Sequence, residues 1–165
     1  MTLIEKDRNR SQKANIAFPG LVSLAKMVIQ LSNTRERMSS NNSKSNTSNA
    51  ASLIWHALHA LPKPSNKTNW AGFYVLDPSR AAAGKKPQLI LGPFQGKVAC
   101  QVIAFGRGVC GAAAASGETQ LVGDVDSFPG HIACDGDSKS EIVVPVVVDG
   151  KVSLLSASRI TAYMC

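Results

Sequence analysis

NWAGFYVLD, residues 69–77, sends Trp70, Gly72, Tyr74 and Leu76 to one side and Ala71, Phe73 and Val75 to the other, and its aromatic and β-branched content makes it a strand. Working outward, DPSRAAAGKKP (77–87) is punctuated by Pro78, Gly84 and Pro87 and reads as a hairpin connection. PQLILGPF (87–94) resumes as a second strand and VACQVIAF (98–105) as a third. GRGVCGAAAASGE (106–118) changes period, and its small residues predict a tightly packed short helix with Cys110 in the first turn. TQLVGDV (119–125) is a short strand, DSFPGHIACDGDSKS (126–140) a loop carrying Cys134, and EIVVPVVVDGKVSLLSAS (141–158) a hairpin turning at Asp149-Gly150. Upstream, ASLIWHALHALP (51–62) repeats Leu53, Ala57, Leu58 and Leu61 at helical spacing, with Ser48 or Asn49 as N-cap and Pro62 as the stop. The order predicts an α+β domain on a mostly antiparallel sheet.

The domain is expected over residues 49–165. Residues 1–48 form a separate basic, polar segment, because SSNNSKSNTSN (39–49) cannot bury apolar surface and reads as loop or disordered chain. Residues 1–48 hold a net +5 of the total +7, which leaves the other 117 residues near neutral. The aromatics Trp70, Phe73, Tyr74, Phe94 and Phe105 are separated from that basic excess, so the pattern does not point to nucleic acid. The N-terminus lacks a signal-peptide core, and AFPGLVSLAKMVIQL (17–31) is interrupted by Pro19, Gly20 and Lys26; the expected address is cytoplasmic, with no membrane partner.

Four cysteines in 165 residues admit structural disulfides, a metal site or a thiol relay. In the cytosol disulfides are mostly transient and redox-active. Zinc is disfavoured because Cys100, Cys110 and Cys134 include no closely spaced pair and His56, His59 and His131 complete no tetrahedral spacing. His56 and His59 receive no role, and buried core filling is the bland reading of any one cysteine. Cys110 at a helix N-terminus would have its thiol pKa lowered by the backbone N–H groups.

NWAGFY, LGPFQGKVAC, FGRGVCG, DVDSFPGHIACD and SEIVVPV occur in this order and nearly contiguously. Over residues 49–151 the chain thereby resembles the free methionine-(R)-sulfoxide reductases, which are single GAF domains. The resemblance implies an antiparallel sheet flanked by helices, and reduction of free L-methionine-(R)-S-oxide to L-methionine. It implies thioredoxin as electron donor and no bound cofactor or metal. It points to Cys134, Cys110 and Cys100 as the catalytic thiols. Cys134 is the expected nucleophile, since its loop can close on a small ligand, with Cys110 or Cys100 resolving; the position of Cys110 keeps the reverse assignment open. Glu141 resembles a pocket carboxylate that holds the substrate ammonium or shares a proton, and Trp70 and Tyr74 an aromatic wall. Core packing on a strand is the competing reading of both aromatics. His131 is either a neighbour that tunes a thiol or a turn residue. A GAF module that binds a ligand or partner without catalysis, or an inactive truncated form, is the alternative function, and a homodimer is left open.

The resemblance breaks after Lys151, where the family runs into a strand with a Leu-Asp-Ile-Asp-Ser-like run and an acidic helix, whereas this chain reads VSLLSASRITAYMC. The last strand and helix are therefore expected to be incomplete, with Ser156 and Ser158 in place of carboxylates that grip the substrate ammonium. Weak binding and an uncovered sheet would follow. Val152-Ser153 is also what an in-frame splice donor encodes, so one reading of the divergence is coding sequence running into an intron. No role is assigned to Cys165.

Overall fold

The computed structural model describes residues 40–148 and 151–161. Residues 1–39, the Asp149-Gly150 turn and Cys165 lie outside the described residues. The elements are α1 (Ser40–His59), a 3₁₀ turn (Ser65–Lys67), β1 (Thr68–Leu76), α2 (Pro78–Ala82), β2 (Gln88–Gly96), β3 (Val102–Ala104), α3 (Gly108–Ser116), β4 (Gln120–Val122), β5 (Ser140–Val148) and β6 (Lys151–Ile160). The described strands form one six-stranded sheet in the order β3-β2-β1-β6-β5-β4, with antiparallel pairs throughout.

Strand β1 lies between β2 and β6, so its alternation feeds two cores. Ala71 and Phe73 pack with Ile142 beneath α1, while Trp70 and Tyr74 pack with Leu155, Ala157, Val143 and the α3 residues Val109, Cys110 and Ala113 on the other face. Gly72 is a packing requirement: a Cβ there would stand 2.3 Å from Phe94 Cβ, where β2 bulges and Phe94 crosses close to β1. The small residues of α3 serve a similar approach, since a Cβ on Gly111 would meet the Ala104 carbonyl oxygen at 2.4 Å. Gly117 ends α3 in the left-handed region, its N–H bonding to Ala113 O at 2.9 Å.

Several expectations change. Helix α1 begins at Ser40, inside the stretch read as loop or disordered, so position 49 is no boundary of secondary structure. Its Ser- and Asn-rich turns are poor helix formers, yet Thr47, Ala50, Ala51, Ile54 and Leu58 form one buried stripe against the sheet, and tertiary burial overrides propensity. Leu53, 59% exposed, falls off that stripe, and Ile54 takes the core position. The third strand shortens to Val102–Ala104 because residues 98–100 leave the ladder and carry Cys100 across to the loop holding Cys134. The last strand forms. VSLLSASRI continues from Lys151 as a ten-residue strand paired on both sides, to β1 and β5. The connection at 77–87 also contains α2, entered through Asp77, whose Oδ1 accepts from the Ser79 N–H at 2.9 Å.

Candidate active site

The site lies at the α3 face of the sheet, where four segments meet. Cys100, on the chain leaving β2, is joined to Cys134 of the 126–140 loop in a disulfide with Cα atoms 5.3 Å apart. The loop is also tied to the start of β1, where Asn69 Nδ2 donates to Asp135 Oδ2 at 2.5 Å and to Ser138 Oγ at 3.0 Å. Lys97 and Asp137 pair beside it on the surface.

Cys110, the third residue of α3, is buried and remains a free thiol. It donates to Glu141 Oε1 at 3.3 Å. Burial first, and the Glu141 carboxylate second, push this thiol well above its ordinary range, against the smaller pull of Arg159. The direction is opposite to the lowering expected from the helix N-terminus, and its causes are desolvation and a like-signed neighbour. Cys134 and Cys100 are only half buried.

Glu141 sits at the start of β5 and is 3% exposed. Its partner is Arg159 of β6, 4% exposed, whose Nε lies 3.4 Å from Glu141 Oε1 and whose guanidinium carbon is 5.3 Å from the centre of the Trp70 ring. Burial works against the Arg159 charge, but Glu141 overcomes it and holds the guanidinium protonated. Trp70 stacks on Tyr74 and Phe94, and Tyr74 donates its hydroxyl to the Cys100 carbonyl at 2.9 Å. Burial pushes the Tyr74 phenol up to about 12, with Arg159 opposing.

Arg107, Cys110, His131, Cys134, Glu141 and Arg159 line a crevice of about 10 Å³, room for one water-sized sphere. The structure thus brings Cys100, Cys110, Cys134 and Glu141 together. Trp70 and Tyr74, fully buried, stand behind the site and reach it through Arg159 and the Cys100 carbonyl, not as a wall of the crevice. His131 lines the crevice, and its Nδ1 is buried without a hydrogen-bond partner. His59 Nδ1 lies 2.9 Å from Trp55 O on α1, away from the thiols. Among the described residues no three His, Cys, Asp or Glu side chains cluster as a metal site. A larger open groove of about 390 Å³ between Trp55, Asn69 and Lys97 contains none of the cysteines.

Strand alternation corrects the reading of the C-terminal strand. Ser156 pairs with Phe73 and Ser158 with Ala71, so both serines face α1. The residues of β6 on the thiol face are Leu155, Ala157 and Arg159, opposite Tyr74, Gly72 and Trp70. Sequence reasoning missed Arg159. The available signal was its two-residue spacing from Leu155 and Ala157, one residue beyond the hairpin read over 141–158.

A six-stranded antiparallel sheet with helices on both faces and redox-capable thiols at one end defines a GAF-fold protein with a cysteine site. A solved GAF domain is similar at 48% identity and a TM-score of 0.70, over 87% of this chain and 74% of that one. The free methionine-R-sulfoxide reductase of Neisseria meningitidis, solved in complex with its substrate, is similar at 35% identity and a TM-score of 0.63, over 92% of this chain and 77% of that one. The free methionine-R-sulfoxide reductase of Saccharomyces cerevisiae is 61% identical over 107 residues, 64% of this chain and 55% of the yeast protein. The chain belongs to the free methionine-R-sulfoxide reductase family. It spans little more than half the length of the yeast relative. No protein-family model matches it. None of the described helices is long and apolar enough to cross a membrane.

Proposed function

We propose that the chain reduces free L-methionine-(R)-S-oxide to L-methionine by thiol chemistry at Cys134, with Cys100 resolving and thioredoxin resetting the pair. The observation that carries this reading is the Cys100–Cys134 disulfide closed over a crevice that also holds Cys110 and Glu141. Cys134 attacks the sulfoxide sulfur; the sulfur–oxygen bond breaks, oxygen and the thiol proton end on Cys134 as a sulfenic acid, and the thioether leaves. Glu141, in the same crevice, is the carboxylate able to carry that proton. The Cys100 thiol then condenses with the sulfenic acid, releasing water and leaving the disulfide. A thioredoxin dithiol reduces that disulfide by exchange and is itself oxidised. Cys110, buried and protonated, is a poor nucleophile and serves as a donor to Glu141. The cycle needs a reducing compartment, which favours the cytoplasm.

The test is a thioredoxin-coupled assay with free methionine-(R)-sulfoxide, paired with the same residue inside a blocked peptide. Turnover of the free amino acid alone is expected. Saturable ligand binding without turnover would instead establish a non-catalytic GAF module.

A further inference from the structure

The mechanism above gives Arg159 no task, yet its surroundings ask for a ligand. Glu141 is the sole carboxylate among the crevice-lining residues, against two arginines, Arg107 and Arg159. Arg159 offsets the Glu141 charge, its Nε 3.4 Å from Oε1. Its Nη1 is buried and lacks any hydrogen-bond partner, in a side chain more than nine-tenths buried. A desolvated charged donor left unsatisfied is costly, and a guanidinium edge matches the two oxygens of a carboxylate. Cys110 and Tyr74 also interact with the Arg159 guanidinium, but Cys110 gives its proton to Glu141 and Tyr74 its own to the Cys100 carbonyl, His131 faces the same crevice, and Nη1 stays unpaired.

We propose that Arg159 makes the crevice a carboxylate-binding site, which takes a sulfoxide ligand by its acid end and gains nothing from the ligand's ammonium, because Glu141 is already neutralised. The substrate class is a sulfoxide-bearing carboxylate, amino or not. This rests on the sulfoxide reading above. Opening of the crevice accompanies it, since about 10 Å³ admits no such ligand while Cys100 and Cys134 are joined.

The experiment measures binding to the thiol-reduced protein by titration calorimetry at about pH 6, below the α-amino range. The probes are sulfones, which thiols do not reduce: methionine sulfone, 4-(methylsulfonyl)butanoate, which lacks the amine, and methionine sulfone amide, which lacks the carboxylate. The two carboxylates should bind within about threefold of each other and the amide at least about tenfold more weakly, as for loss of one charge-assisted pair. Glu141→Gln/Arg159→Gln, which removes both charges together, should bring that ratio near one, and Arg159→Lys should keep part of it. Equal binding of the amide, or loss of binding with the amine, overturns the proposal, and the series on unaltered protein decides this even if the variants do not fold. The carboxylate pattern without sulfoxide turnover would sink the reductase reading and leave Arg159 its role. Turnover with no carboxylate preference would do the reverse, and neither turnover nor binding would end both.

Discussion

Replacing Arg159 by Met tests whether the Glu141–Arg159 pair is held together by mutual need. Both side chains are at least 95% buried, so neither charge can be returned to water when its partner goes. Removing one member of such a pair destabilises by about 3–5 kcal/mol, whereas removing both is close to neutral. Arg159→Met also gives up the stacking of the cation on Trp70, worth about 1 kcal/mol or more when desolvated. Against a domain margin of about 5–15 kcal/mol, the single variant approaches unfolding. Glu141→Gln should also be costly, because Arg159 is then the unpaired charge. The double variant Glu141→Gln/Arg159→Met should recover most of the loss. Urea denaturation of the disulfide form, followed by tryptophan fluorescence, measures all four members of the cycle. With a slope of about 1–3 kcal/mol per molar urea, the single variants should lose one or more molar units in midpoint. Two singles whose losses simply add in the double, or an Arg159→Met loss below about 1 kcal/mol, would show that the pair is not coupled and that water reaches it.

Cys134→Ser should abolish methionine release even in a single turnover, whereas Cys100→Ser should still release about one methionine per protein; a retained burst in the first and its loss in Cys110→Ser would reverse the assigned roles. Because the folded Cys110 keeps its proton above the ordinary thiol value of 9.0 while the unfolded chain ionises there, stability should be fully present below that value. It should fall as pH rises beyond it, by about 1.4 kcal/mol per pH unit for this one proton. Cys110→Ala should flatten the curve, and an unchanged slope would mean the thiol is not held neutral. Gly72→Ala forces a methyl toward the Phe94 backbone and should cost about 1–3 kcal/mol in urea denaturation, with Trp70 fluorescence altered through its stack with Phe94; wild-type stability would refute the close approach.

The sheet was legible because its central strand alternates cleanly between two faces: NWAGFYVL specifies strand, register and two cores at once. The thiol cassettes were legible as well, since the sheet brings the glycine-rich stretches of Cys100 and Cys134 to one end, beside Cys110 of α3. Helix α1 was cut short in the reading because its Ser/Asn turns carry little intrinsic helix signal, and only the sheet surface under Thr47, Ala50 and Ala51 makes them helical. Cys110 was misjudged for a related reason: its place on the helix is local information, but its burial and its neighbour Glu141 come from strand pairing. The serines of β6 were placed in the site by likeness to a motif, where the pairing of Ser156 with Phe73 gives the opposite face. Arg159 escaped notice because an arginine near a chain end reads as solvated until both neighbouring strands are in place.

The Cys100–Cys134 bond has a consequence for endurance. It closes a 34-residue loop that contains β3, α3 and β4. By chain-entropy arguments a loop of this size takes about 4 kcal/mol of freedom from the unfolded chain, which is comparable with the whole margin of a small domain. A reductase using this bond would thus be most resistant to unfolding just after it has acted, while waiting for electrons. It would be most fragile when reduced and ready. Reductant supply would then set the lifetime of the protein as well as its rate, and a melting curve taken across a redox titration would follow the catalytic state of the population.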